Sequence, residues 1–77
     1  MALVRRLTRK QMDRNSLHEE VEATYSVFAW DDRTLLQIDT YGRADREIPG
    51  KKSQTIQIDE AAAQELFGIL KTHFGFR

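Results

Sequence analysis

The chain has 77 residues, of which 12 are basic and 12 acidic, so its formal net charge of zero indicates no particular partner. It contains no cysteine, which excludes disulfides and thiolate metal sites. At this length we expect one domain with a small core, and therefore an oligomer that supplies the missing stability.

The first 16 residues predict a basic N-terminal arm or an edge strand. Leu3 to Thr8 fits a short strand as well as a helical turn, and five basic side chains accompany a single acid, Asp13. Such an arm is either solvated or lies on phosphates. Residues 1–4 are apolar and Arg5-Arg6 follow, the reverse order of a secretory signal, and no apolar run is long enough to span a bilayer. We therefore expect a cytoplasmic protein without membrane contact.

Residues 17–77 predict a single domain of β-sheet plus helix, which begins with a hairpin over residues 20–41. In both arms, residues of one face recur at a period of two, with Asp31-Asp32 as the turn between them. These positions are Val21, Ala23, Tyr25, Val27, Leu36, Ile38 and Thr40. The acidic stretch Glu19–Glu22 precedes the first arm and is a candidate contact for a protein partner.

The rest of the chain predicts one more strand and a terminal helix. Pro49-Gly50 indicates a turn, and residues 53–58 indicate a strand with Ile56 and Ile58 buried and Gln57 outward. Asp59 fits a helix N-cap and Gly75 a C-cap. An apolar stripe with helical spacing lies between them: Ala63, Leu66, Phe67, Leu70 and Phe74. Strands followed by one amphipathic helix predict the α+β class, with the helix covering one sheet face.

The second sheet face is predicted to carry Phe28, Trp30, Leu35 and Tyr41. In a monomer these side chains would be exposed to solvent, so that face or its rim is a candidate interaction surface. No histidine, serine and acid combine into a catalytic constellation, so we expect no enzyme, no cofactor and no metal site. Adjacent carboxylates at Asp31-Asp32 are explained by turn chemistry alone.

Basic residues interleaved with aromatics are the remaining pattern. Cations beside flat rings hold single-stranded nucleic acid, with the cations on the backbone and the rings under the bases. The candidate residues are Trp30, Arg33, Tyr41, Arg43, Lys51 and Lys52. The alternative interpretation is that the two rings serve packing or a dimer seam and that the lysines belong to a solvated loop.

Residues 25–70 resemble the positive cofactor four domain, a transcriptional coactivator fold with bacterial and phage relatives. The resemblance rests on the second hairpin arm, residues 34–41, and on a loop that ends in Pro49-Gly50-Lys51-Lys52. A short strand, residues 56–58, then runs into a helix that starts with acids and carries Leu66 and Leu70. The resemblance covers about three-fifths of the chain.

This resemblance implies a curved antiparallel sheet of about four strands, a C-terminal helix and a homodimer formed through the helices. The helix residues concerned are Leu66, Phe67, Leu70 and Phe74. It also implies binding of single-stranded DNA regardless of sequence. In that case Trp30 stacks on bases, Arg33 follows the turn as a basic contact, and Lys51 and Lys52 contact phosphates.

Three positions depart from the family pattern. Asp39 stands where a basic residue is expected, Gly42 where a second stacking aromatic is expected, and Asp31 where the family tends to be basic or neutral. Tyr41 is a partial substitute for the missing ring. These changes keep a second hypothesis open, a small homodimeric protein-interaction module with the same fold and no nucleic-acid binding.

Overall fold

The computed structural model describes residues 1–42 and 52–77. Its elements are β1 (Ala2–Val4), β2 (Ala23–Trp30), β3 (Arg33–Tyr41), β4 (Lys52–Ile58) and α1 (Glu60–Phe74). Strands followed by one terminal helix confirm the predicted α+β class. The Pro49-Gly50 turn and the candidate site residues Arg43 and Lys51 lie outside the described residues.

The four strands form one mixed sheet in the order β1-β4-β3-β2. Pairs β2–β3 and β3–β4 are antiparallel, whereas β1 runs parallel to β4, with Ala2 opposite Ile56 and Val4 opposite Ile58. The expectation of a purely antiparallel sheet is therefore wrong at β1. Residues 5–22 separate β1 from β2, and a connection of that length lets the chain return to the opposite edge of the sheet.

The hairpin closes through a two-residue turn at Asp31-Asp32. Both residues are left-handed, with φ of 51° and 61°, as a type I′ turn requires. This turn places Trp30 opposite Arg33 and Tyr25 opposite Ile38. The predicted alternation is confirmed, because the paired residues share one face of the sheet.

The two faces of the sheet differ in chemistry. Across the paired strands, one face presents aliphatic side chains and a tyrosine, and we call it the apolar face: Tyr25, Val27, Leu36, Ile38, Ile56 and Ile58. The other presents mainly amides, hydroxyls and a carboxylate at its centre, and we call it the polar face: Thr24, Ser26, Gln37, Asp39, Thr55 and Gln57.

The core is small, since Leu35, Ile58 and Ala62 are the buried apolar residues among those described. Ile56, predicted to be buried, is 41% exposed because its neighbour on β1 is the small Ala2 and the helix starts beyond Ile58. The prediction that Leu35 is exposed to solvent is wrong. Leu35 is only 4% exposed, and Phe28 lies directly opposite it on β2. Gln57, predicted to point outward, is half-buried and donates a hydrogen bond to a side chain on β3.

The helix begins and ends as predicted. The Asp59 carboxylate accepts a hydrogen bond of 3.0 Å from the backbone N–H of Ala62, and Gly75 ends the helix at φ 71°. Two contacts attach the N-terminal arm to this helix. Arg5 Nε lies 3.6 Å from Asp59 Oδ2, and the Leu7 N–H donates a hydrogen bond of 2.8 Å to Glu65 Oε2.

Candidate nucleic-acid interface

The hairpin turn positions the indole of Trp30 beside the guanidinium-bearing residue Arg33. The two residues close the two-residue turn from opposite strands, so their side chains leave the same face of the sheet. Trp30 is 62% exposed and Arg33 is exposed. A flat ring and a cation are therefore both accessible to solvent at this end of the hairpin.

Tyr41 and Lys52 lie at the opposite end of the sheet. They are partners across β3 and β4, just after a register shift that follows Thr40. The Tyr41 hydroxyl lies 2.9 Å from the hydroxyl of Thr24, which holds the ring on the polar face. From Arg33 to Tyr41 the strand rises by about 27 Å at the usual spacing of extended residues. The candidate residues thus form two separate groups on one face.

A hydrogen-bonded row of polar side chains occupies the polar face between these two groups. Gln57 Nε2 donates to Gln37 Oε1 at 3.0 Å, and Gln37 Nε2 donates to the Asp39 carboxylate at 3.1 and 3.2 Å. The Thr55 hydroxyl donates to Asp39 Oδ1 at 2.6 Å. The bonds from Gln57 and Thr55 join β4 to β3, whereas the two bonds from Gln37 run along β3 to the next position on the same face. The row therefore fixes side chains both across and along the strands.

Asp39 is the centre of this row and is only 5% exposed. Hydrogen bonds from Thr55 and Gln37 lower the pKa of Asp39, desolvation opposes this, and the nearby charge of Lys52 lowers it further. Asp39 therefore carries a full negative charge at neutral pH. The Lys52 ammonium lies 3.5 Å from its Oδ2 atom, so Lys52 contributes less net positive potential than a free lysine.

The structure brings Trp30 together with Arg33, and Tyr41 together with Lys52, but it keeps the two pairs apart. Sequence reasoning identified Asp39 as a departure from a basic pattern and missed its hydrogen-bond partners Thr55 and Gln37, as well as Gln57, which donates to Gln37. The sequence does contain a pattern that could have identified these partners. Polar side chains recur with a period of two on β3 and β4, and polar side chains on a half-buried face are expected to bond one another.

The helix residues expected at a dimer interface differ in their exposure. Leu66 and Leu70 are half-buried, whereas Phe67 is 62% and Phe74 is 68% exposed. Lys71 places its ammonium 5.1 Å from the centre of the Phe67 ring, a cation–π contact. An apolar part of the helix stripe therefore faces solvent in the single chain.

Within the two described ranges, no three histidine or acidic side chains cluster closely enough to hold a metal ion. No helix in the same ranges has the length and apolar character needed to cross a bilayer. Comparison of the chain with protein-family models, with curated proteins and with solved structures finds no match.

Proposed function

We propose that this chain is a non-enzymatic, cytoplasmic protein that binds single-stranded nucleic acid as a homodimer. The observation that carries the proposal is the exposed indole of Trp30 directly opposite Arg33 on one face of the hairpin. An exposed ring beside a cation is the pair of groups that a stacked base and its phosphate require.

In this mechanism the two ends of the polar face make different contributions. Trp30 stacks on a base, a contact worth about 1–3 kcal/mol by the general behaviour of such platforms. Arg33 neutralises a phosphate next to that base. Tyr41 offers a second ring at the far end, where its hydroxyl is already bonded to Thr24.

The N-terminal arm supplies the remaining positive charge in this proposal. Its basic side chains are all exposed: Arg5, Arg6, Arg9, Lys10 and Arg14. Arg5 lies near Asp59, so the other four are the more effective phosphate contacts. The arm compensates for Lys52, whose charge is balanced by Asp39.

The homodimer of this proposal uses the exposed part of the helix stripe. Phe67 and Phe74 present aromatic surface that the chain itself leaves uncovered, and Leu66 and Leu70 lie beside them on the helix. Burying such surface against a second copy removes apolar area from water, at about 25 cal/mol per Å². A dimer would also carry two copies of the Trp30–Arg33 pair, which increases avidity for one strand.

Titration of a fluorescent oligothymidylate against the wild type, Trp30→Ala and Trp30→Phe tests the proposal. We expect Trp30→Ala to weaken binding about tenfold or more, and Trp30→Phe to retain most of the affinity because a ring remains. Neutralising one basic side chain that binds a phosphate should reduce the slope of log K against log salt by about 0.7. Absence of binding by the wild type at low salt, or a slope near zero, would reject the proposal.

A protein-interaction module is the second candidate, and the exposed apolar face favours it. Tyr25, Val27 and Ile56 are exposed on that face, and a contiguous exposed apolar patch is typical of an interaction site. Under this alternative the wild type binds no oligonucleotide at low salt. A Tyr25→Ser variant would then lose a protein ligand while Trp30→Ala retains it.

A further inference from the structure

Strand β2 is an edge of the sheet, and no strand formed by the described residues pairs with its outer side. It spans Ala23–Trp30 and has eight residues, none of them charged and none proline, glycine or lysine. The opposite edge, β1, has only three residues. Natural proteins shield long edges with charges, proline or bulges, because an uncharged edge invites pairing with another strand. By this criterion, the outer edge of β2 is expected to pair with another strand, whereas the short β1 is not.

The free backbone groups of β2 can be assigned from the ladder. Tyr41 N–H donates to the Glu22 carbonyl at 3.0 Å, so these two residues are a hydrogen-bonded pair. Hydrogen-bonded pairs alternate with non-bonded ones in an antiparallel ladder, and the register places Ala23, Tyr25, Val27 and Ala29 at the non-bonded positions. Their N–H and C=O groups therefore point away from β3, along the outer edge.

The single chain buries less surface than a folded monomer of its mass. Its accessible area is 7297 Å², whereas the general scaling for a 9.0 kDa monomer gives about 4,900 Å². The Cα radius of gyration is 14.8 Å, against about 11.5 Å for a compact chain of this length. This unmet burial of about 2,400 Å² per chain amounts to about 4,800 Å² for two chains, near the upper end of the total of about 2,000–5,000 Å² that obligate homodimers bury.

We propose that a second copy of the chain pairs with this edge, β2 against β2 and antiparallel, about a twofold axis. The product is a continuous eight-stranded sheet. Because paired residues share a face, the apolar faces of the two copies join into one surface, and so do the two polar faces. The Trp30–Arg33 pairs of both copies then lie on a common polar face.

The helix takes part in the same interface. Val27 of β2 lines one cleft together with Glu60 and Ala63 at the start of α1. The start of α1 therefore lies close to β2, where a second copy aligned along that strand would approach it. A second copy fits the unmet burial better than a single added peptide strand, because a strand alone covers the edge and leaves the helix exposed.

Val27→Pro and its control Val27→Thr test the strand pairing by sedimentation equilibrium. The Val27 N–H points outward, so proline there removes an intermolecular donor without removing a bond of the β2–β3 ladder. We expect the dimer dissociation constant to rise at least about tenfold for Val27→Pro and to change less than about threefold for Val27→Thr. A monomeric wild type, or a Val27→Pro dimer as tight as the wild type, overturns the proposal.

A charge-pair experiment keeps the test valid if the proline variant does not fold. When two copies of β2 pair along their full length, the twofold axis lies at the middle of the strand, next to Val27. Val27→Lys and Val27→Glu therefore each place like charges close together, and each alone is expected to be monomeric. Mixed in equal amounts, they are expected to form a heterodimer that predominates over both homodimers in native mass spectra. Homodimers of the lysine variant at wild-type affinity, or no heterodimer on mixing, contradict the pairing. Oligonucleotide titration of the same samples reports separately on nucleic-acid binding.

Discussion

The ammonium of Lys52 lies 3.5 Å from Oδ2 of Asp39, across the β3–β4 ladder, and joins the end of the polar face to its central carboxylate. This pair decides how much of the charge of Lys52 is available to a phosphate. The lysine is half exposed while the carboxylate is nearly buried, so the acid cannot turn away to solvent. A phosphate that approaches Lys52 must therefore compete with Asp39.

Asp39→Asn is expected to strengthen oligonucleotide binding. The amide removes the negative charge that opposes a phosphate and releases Lys52 for contact, so the salt slope should steepen by about 0.7. Fluorescence anisotropy at two salt concentrations measures both quantities. Ser26→Asn is a matched control, because it adds an amide to the same face and changes no charge. Equal affinities of Asp39→Asn and the wild type would place the binding surface elsewhere.

Thr55→Val is expected to reduce stability in a pH-dependent way. The Thr55 hydroxyl is the largest cause that keeps the pKa of Asp39 below the usual aspartate value of 3.8. Because the pKa of Asp39 is lower in the folded chain than in the unfolded chain, its ionised carboxylate stabilises the fold at any pH above the unfolded-state pKa. This stabilisation is lost as the pH falls through the pKa of the folded state. Urea unfolding from about pH 7 to about pH 2 should show the wild-type advantage shrinking below pH 3.8. An advantage that stays constant across this range would assign it to packing alone.

Local chemistry made the hairpin and the helix predictable from sequence. Apolar residues alternate with polar ones on both sides of Asp31-Asp32, and a shift of one residue in the pairing would move the apolar side chains to the other face, so the register is specified. Asp59 suits the N-terminal end of a helix and Gly75 the C-terminal end. These features depend on neighbours within a few residues. The same reasoning confirmed the α+β class but placed Leu35 and Ile56 on the wrong side of the burial boundary.

The remaining features depend on contacts distant in sequence. The parallel pairing of β1 with β4 joins residues more than fifty positions apart, as Ala2 and Ile56 show, and Ala2-Leu3-Val4 carries no signal of direction. The bond between Thr55 and Asp39 likewise requires the register of β3 against β4. The loop between β3 and β4 is too long to fix how the two strands align, so their register is set only when both faces of the sheet pack.

Asp59→Ala is expected to lower the free energy of unfolding by about 1 kcal/mol, because the first turn loses its capping acceptor for the Ala62 N–H. Asp59→Asn is the control: it keeps a capping oxygen and removes the ion pair with Arg5. Urea unfolding followed by circular dichroism compares them. Equal losses for the two variants would attribute the effect to charge and not to capping.

Asp32→Gly is expected to raise the free energy of unfolding by about 0.5–1 kcal/mol. Asp32 has a φ of 61°, which costs an L-residue energy that glycine avoids, and Asp-Gly is a preferred type I′ pair. Asp32→Asn separates conformation from charge, because asparagine tolerates the left-handed region and is neutral. Thermal unfolding at high and low salt should show a gain for glycine that persists at high salt. A gain that disappears with salt would indicate charge repulsion with Asp31 instead.

Gly68 and Gly75 provide a matched pair in which the same substitution has opposite effects. A Cβ at Gly68 meets no atom of the described residues within 4 Å, and the residue is helical, so Gly68→Ala should add about 1 kcal/mol through helix propensity. Gly75 has a φ of 71°, so Gly75→Ala should destabilise by about 1 kcal/mol. Urea unfolding at low protein concentration measures both. If Gly68→Ala were instead to weaken the proposed dimer selectively at high concentration, a second copy would have to approach the helix closely at that position.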